Sequence, residues 1–277
     1  MGYIDAHVHV WTDDLDSYPL ADGFSRDQMK PPIFLPEDIL GHAEPCGVDR
    51  IVLIQMSYYL FDNSYMLDVI DDQPEIFKGI AVIDFQGGNP RDVMCDLKQK
   101  GVKGFRIYPG DASPESWLEA DGYEEMFRCG ADENLAMCPL INPDALPAVG
   151  RMCDKFPDTP VIIDHLSLIG DNGIIEQNEI DSLTSLARHS NIKVKVSAFY
   201  ALGEKKPPHD DLSDLIRQVF MAYGPDRLMW ASDCPFQVDN ESYDDSVALI
   251  RDRLDYLSGD DREWILTKTA EQSFYTT

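Results

Sequence analysis

Tyr3-Ile4-Asp5-Ala6-His7-Val8-His9-Val10 alternates apolar and polar residues from the third position of the chain, and its reading decides the fold. Successive side chains of a strand take opposite faces. Asp5, His7 and His9 are therefore expected on one face, with Ile4, Ala6 and Val8 on the other. Burying two imidazoles and a carboxylate is costly unless each finds a hydrogen bond, a charge or a metal. The apolar set is expected to pack outward and the polar set to face an interior. A lone buried histidine is ordinarily a satisfied core residue. Two at i and i+2 near a strand end point instead to a site.

Beyond this strand the chain repeats one unit: a short apolar run, a polar turn and an amphipathic stretch. The runs fall at 3–10, 50–57, 77–85, 102–109, 134–141, 161–168, 192–199 and 227–234, which makes eight. Helix-like segments at 36–47, 63–73, 90–100, 115–131, 144–156, 176–190 and 210–223 lie between them, several opened by proline as in Asn89-Pro90 and Asn142-Pro143. Residues 241–275 read as two helices broken at Ser258-Gly259. Eight strands alternating with helices imply parallel pairing and an α/β fold of the (β/α)8 TIM-barrel type. A doubly wound open sheet fits less well, because the spacing is even and no glycine-rich phosphate loop is present. No composition break divides the chain, so residues 1–277 are expected to form a single domain. The long connections 11–35 and 200–210 follow the first and seventh strands, and in a barrel both lie at the catalytic, C-terminal face.

Composition narrows the function. The chain has 277 residues, is 44% hydrophobic and carries a formal net charge of −27, so its core can be large. A nucleic acid or an anionic membrane surface is not expected as a partner, since either needs a basic footprint. An anionic small-molecule substrate would need local Arg or Lys in its pocket. There is no apolar run of 18 residues, which argues against a membrane span, and no signal peptide is read at the N-terminus. Cys46, Cys95, Cys129, Cys138, Cys153 and Cys234 lack zinc-finger or C-x-x-C spacing. They read as free, mostly buried thiols of a reducing cytoplasm. The oligomeric state, a homo-oligomer included, stays open.

The polar residues near the C-terminal strand ends are His7 and His9 (first), Gln55 (second), Arg106 and Tyr108 (fourth), His165 (sixth), Lys195 and Ser197 (seventh) and Asp233 (eighth). In the sixth strand Val161, Ile163 and His165 are expected to share a face, leaving Asp164 on the other. Each residue alone has a structural explanation. Together they make one cup of three histidines, an aspartate and an arginine.

Asp5-Ala6-His7-Val8-His9, Gly104-Phe105-Arg106, Asp164-His165-Leu166, Lys195-Val196-Ser197 and Gly224-Pro225-Asp226-Arg227-Leu228-Met229-Trp230-Ala231-Ser232-Asp233-Cys234-Pro235 resemble the amidohydrolase superfamily. They are most similar to its "amidohydrolase 2" branch, which includes sugar lactonases, 2-pyrone-4,6-dicarboxylate lactonase and the aminocarboxymuconate-semialdehyde decarboxylase group. The resemblance spans nearly the whole chain, in order. It implies a TIM barrel, His7 and His9 as metal ligands or electrophilic groups, and Asp233 as the carboxylate that moves a proton. The chain departs from the pattern of metal-binding members in having no histidine on the fifth strand, which reads Asn134 to Ile141 with Cys138 within it. Arg106 also stands where a carboxylated lysine would serve a second metal. One divalent ion, zinc in the first instance, is therefore expected on His7, His9, His165 and Asp233, with a metal-free version of the site kept as an alternative.

The expected reaction is hydrolysis of a lactone or cyclic ester, with Asp233, His165 and Arg106 as catalytic residues. Arg106, Tyr108, Gln55, Lys195 and His209 are expected to contact the substrate, and loops 11–35, 58–63 and 200–210 to select it. The alternative is metal-dependent, non-oxidative decarboxylation of an aromatic or dienoic acid. A non-catalytic barrel that binds a small acid or a partner is the reading from another class, and the convergent polar set speaks against it.

Overall fold

The computed structural model describes residues 2–276, so Met1 and Thr277, the two ends of the expected 1–277 domain, lie outside the described residues. Eight strands alternate with helices: β1 Tyr3–Val8, β2 Val48–Ile54, β3 Phe77–Ala81, β4 Val102–Ile107, β5 Ala136–Pro139, β6 Val161–Ile163, β7 Ile192–Ser197 and β8 Leu228–Ala231. The helices are α1 Pro36–Ala43, α2 Ser64–Asp72, α3 Pro90–Gln99, α4 Asp121–Glu133, α5 Leu146–Lys155, α6 Gln177–Ser185, α7 Ser213–Tyr223, α8 Tyr243–Ala248 and α9 Gly259–Glu263. The strands pair in parallel in chain order from β1 to β8. A parallel bridge between Val8 and Cys234 brings the last strand back to the first. This is the (β/α)8 barrel that the spacing predicts. Among the described residues no helix is long and apolar enough to cross a membrane.

Two apolar layers hold it. The barrel interior is a small cluster of Ile4, Ala6, Val52, Ile54, Ile80, Cys138, Ile162, Met229 and Ala231, and Ala270 and Phe274 from the C-terminal segment belong to it. The larger layer, between strands and helices, takes the alternate residues, among them Val8, Ile51, Leu53, Phe105, Val161, Ile163, Val194 and Trp230. The interior narrows at β4. A Cβ on Gly104 would sit 2.5 Å from the Ala136 carbonyl oxygen and 3.1 Å from Ile80 Cδ1, so glycine lets β4 lie against its neighbours there.

Two expectations about faces are corrected. Ile4 and Ala6 point into the barrel, and Asp5 lies in the outer layer, where its carboxylate accepts from Tyr243 Oη (2.8 Å), Ser232 N (2.9 Å) and His7 N (3.1 Å). Burial pushes Asp5 up to about 6 against these hydrogen bonds. Strict alternation fails because β1 is irregular. Asp5 pairs with Ile51 and Val8 with Leu53, so the step from Asp5 to Val8 is matched by one residue fewer on β2. That extra residue reverses the parity and lets His7 and His9 face inward after Ile4 and Ala6. In β6 the inward residue is Ile162, so Asp164 continues the inner face; the expected pairing of Val161 and Ile163 with the site is reversed.

Most elements are shorter than the sequence pattern. The strands stop where the chain turns into the loops of the C-terminal face; β6 ends after three residues, and His165 to Leu168 follow at φ between 51° and 58°. The stretch 115–120, expected as helix, precedes α4 and is pinned by Trp117 Nε1 donating to the Ala145 carbonyl (3.4 Å). The break at Ser258-Gly259 is present: Ser258 Oγ accepts from Asp261 N (3.2 Å) and caps α9. Residues 11–35 fold back as a flap whose neck is the Trp11–Phe34 bridge, with Trp11 Nε1 donating to Pro31 O (2.9 Å).

Gly104→Ala tests the tight interior. The added methyl is expected to cost about 1–3 kcal/mol, read as a lower urea midpoint with an unchanged denaturant slope.

Candidate active site

The site forms where the barrel closes. Asp233 N donates to the His7 carbonyl (2.9 Å) and His9 N to the Cys234 carbonyl (2.8 Å), so backbone bonds hold β1 and the end of β8 in register. Asp233 has φ of 67°, and this left-handed turn at the strand end aims its side chain back over the barrel. His165 comes from the left-handed bend after β6. The His7 and His165 ring centroids are 4.3 Å apart, and those of His7 and His9 are 5.1 Å apart.

Beneath the histidines lies a wholly buried ion pair. Lys195 Nζ is 3.0 Å from Asp164 Oδ1, and Arg106 Nη2 is 3.6 Å from Asp164 Oδ2. Burial alone would raise the Asp164 pKa, yet Lys195, His7 and Arg106 together hold it well below the usual carboxylate range. His7 rests on this base. Its Nδ1 faces Lys195 Nζ (3.2 Å) and Asp164 Oδ1 (3.5 Å), and its Nε2 faces Arg106 Nη2 (3.2 Å). Burial, with Lys195 and His165 nearby, pushes His7 well below the ordinary imidazole range, so it is neutral. His165 is lowered by burial too, and its Nδ1 meets Ser197 Oγ at 2.9 Å. Two carboxylates, Asp164 and Asp233, thus stand against two cations, Lys195 and Arg106, around the histidines.

Asp233 is the acceptor at the top. Its Oδ1 is 3.4 Å from both His7 Nε2 and His9 Nε2, and its Oδ2 is 3.8 Å from His165 Nε2. Burial raises its pKa, but His165, His9 and His7 outweigh that and leave it far below the ordinary value. His9 Nδ1 contacts the Ile54 carbonyl (2.9 Å), an acceptor only, so that nitrogen carries a proton and the contact fixes the ring's orientation. Tyr200, in the loop after β7, donates to Asp233 Oδ2 at 2.7 Å. Asp233 Oδ1 is left buried with no hydrogen-bond partner.

These donors suit a divalent ion. One ligand atom each from His7, His165 and Asp233 lies within 4.8 Å of the others, and the orphaned carboxylate oxygen is what a cation would satisfy. His9 reaches His7 Nε2 at 3.3 Å and Asp233 Oδ1 at 3.4 Å. Cys138, the inner-wall thiol of β5, is pushed up to about 12 by burial and is not among the residues that gather there.

Not every residue expected at the site is there. Gln55 spends its amide on the Leu60 (3.3 Å) and Asp62 (2.6 Å) carbonyls and braces that loop. His209 is buried against Phe199 and meets Glu241 at 3.0 Å, joining the 200–210 loop to the one after β8. Tyr108 is 40% exposed beyond the end of β4. Lys195 is fully buried under His7 and has no surface to offer a substrate. Asp164 and Tyr200 are polar residues at the site that the sequence reading did not place there. The first carried one signal, since a lone lysine inside a barrel demands a carboxylate. The second sits in an irregular loop and carried none.

The flap covers a cleft of about 830 Å³ walled by Phe34, Tyr58, Tyr200 and Phe236, with Gln28, Lys30 and Asn240 among its polar residues. Tyr200 and Phe236 connect it to the cup, the former through Asp233 and the latter through the His9 ring, 5.7 Å away.

Comparison with known proteins fits this geometry. Residues 4–274 match the sequence profile of the family described as Amidohydrolase. An L-fucono-1,5-lactonase of Burkholderia ambifaria is 26% identical over 240 residues, 84% of this chain and 80% of the other. A 4-sulfomuconolactone hydrolase of Rhizobium radiobacter is 26% identical over 241 residues, 84% of this chain and 76% of the other. Among solved structures, an amidohydrolase from Burkholderia multivorans with bound zinc superposes with a TM-score of 0.82 at 17% identity, covering 100% of both chains.

Removing Lys195 tests the buried base. Lys195→Met leaves Asp164 without its nearest cation and is expected to cost about 3–5 kcal/mol at neutral pH. The loss shrinks as the pH falls, because Asp164 can then bind a proton in the folded state. The Asp164→Asn/Lys195→Met double variant is expected to be more stable than Lys195→Met alone, as chemical denaturation would show.

Proposed function

This chain belongs to the amidohydrolase family and is an enzyme of hydrolase type, and we propose that it opens a lactone or cyclic ester of a small acid with water. The observation that carries this reading is Asp233: an ionised carboxylate whose Oδ1 is buried without a hydrogen-bond partner beside His7 and His9, with His165 facing its other oxygen. The likeness to two lactone-opening relatives supports it.

In this reading the Asp233 carboxylate takes a proton from the attacking water and returns it to the ring oxygen as the carbonyl carbon–oxygen bond breaks. Tyr200 donates to Oδ2 and orients the carboxylate with Oδ1 toward the histidines. Arg106 anchors an acidic or hydroxyl group of the substrate and supplies the local positive charge that a chain of net charge −27 otherwise lacks. Lys195 acts from below, fixing Asp164 and through it the His7 ring. His7, His165 and Asp233, with His9 as a fourth ligand, would hold one divalent ion, which we take to be zinc from the nitrogen and oxygen donor set and the zinc-bound neighbour. Such an ion supplies Lewis-acid polarisation of the carbonyl and acidifies water. The buried, unpaired thiols fit a reducing cytoplasm.

Asp233→Asn keeps the size of the side chain and removes the proton acceptor. Turnover is expected to fall by about 10²–10⁴-fold with little change in KM, whereas Arg106→Ala raises KM chiefly. Stopped assays with product analysis decide the reaction class: ring-opened acid supports a lactonase, and carbon dioxide release from an aromatic acid replaces that reading with decarboxylation. Metal analysis of protein purified without chelators or a nickel column is expected to give one zinc per chain.

A further inference from the structure

A second cavity opens on the other side of the cup, between the ends of β3 and β4. It measures about 280 Å³, and Arg106 is the only charged residue in its lining. Its walls are braced rather than loosely packed. Phe85 stacks on Tyr123 with centroids 4.0 Å apart at 20°, and Trp117 meets Tyr123 edge-on at 5.7 Å. Asn63 ties the loop carrying Phe61 to the end of β3, donating to the Phe61 and Val82 carbonyls (2.9 Å each) and accepting from Val82 N (3.1 Å). Gly122 permits this approach, since a Cβ there would run into the Phe85 carbonyl oxygen. At the mouth, Phe61 is 49% and Tyr108 40% exposed.

Size and chemistry limit what fits. Benzene occupies an apolar cavity of about 150 Å³, so this one accommodates a six-membered ring with a substituent. A polyhydroxylated arm would lose its water against these aromatic walls with few partners in return. Arg106 connects the cavity to the chemistry: its Nη2 lies 3.2 Å from His7 Nε2, and its Nε is buried with no hydrogen-bond partner.

We propose that this cavity is the subsite for a flat, apolar arm of the substrate, beside an anionic group held by Arg106. The lactone is then that of an aryl- or alkenyl-bearing acid and not of a sugar acid. The inference rests on the lactonase reading for its reaction, and on the cavity alone for its ligand.

Hydrolysis of γ-phenyl-γ-butyrolactone, γ-butyrolactone and D-glucono-1,5-lactone, each followed by acid release, tests the reaction. Calorimetric titration with 3-phenylpropanoate tests the subsite without turnover. The phenyl lactone is expected to exceed γ-butyrolactone in kcat/KM by about 100-fold, the yield of burying one ring, with the sugar lactone poorer than both. Ala112→Trp, at the exposed mouth, is expected to weaken 3-phenylpropanoate binding at least about tenfold and to cut the phenyl lactone's advantage in proportion, with the thermal midpoint confirming the fold. A preference for the sugar lactone, no binding of 3-phenylpropanoate in the millimolar range, or binding indifferent to Ala112→Trp each overturns the subsite. Binding that Ala112→Trp weakens, with none of the lactones opened, upholds the subsite and overturns the lactonase reading instead.

Discussion

The ionic contact between Asp164 and Lys195, buried from all solvent at 3.0 Å, is the constraint on which the upper half of the barrel depends. Neither residue could sit there alone, because an uncompensated charge in such a place costs several kcal/mol. Together they form a fixed dipole beneath His7, and the consequences spread from it. Burial, with the ammonium beside Nδ1, keeps the His7 ring neutral, a state that preserves a lone pair. Asp164 also draws Arg106 inward to within 3.6 Å, placing the guanidinium between the histidines and the rim. The pair contributes orientation rather than affinity, and every polar atom above it inherits that orientation.

The rest of the site follows a division of labour between the two openings. On the flap side Tyr200 and Phe236 bring hydroxyl and aromatic surface up to Asp233 and His9. On the β3–β4 side a guanidinium stands at the base of an aromatic sleeve. The histidines and Asp233 lie between them, so under the proposed function a substrate spanning both openings would be held at two ends. That is an arrangement for positioning, in which binding at the flanks lowers the entropy lost on reaching the transition state.

Much of this was legible in the sequence because the information lay in composition and spacing. Eight apolar runs separated by amphipathic stretches specify the barrel, and His7, His9, His165, Arg106 and Asp233 do gather at one end of it. What escaped was parity. Alternation assumes an unbroken pleat, and the irregularity in β1 between Asp5 and Val8 reverses which residues face inward. Asp5 was therefore placed inside when it braces Tyr243 and Ser232 in the outer layer. In β6 three residues are too few to declare a face, and the left-handed bend that follows lets both Asp164 and His165 enter the site. Gln55 and His209 were expected at the substrate and instead brace loops, and Tyr200 was not placed, since loop geometry depends on tertiary contacts that no periodicity records.

The seam between β1 and β8 bears on how the protein comes into being. Asp233 is hydrogen-bonded through its own backbone to His7, so this carboxylate and the first histidine meet only when the circle of strands is complete. His7 and His9 lie far from Asp233 along the chain, and the cup lacks its carboxylate and its closing wall until the last strand returns to the first. The loop-closure entropy that slows such a long-range contact must therefore be met before His7 and Asp233 stand together.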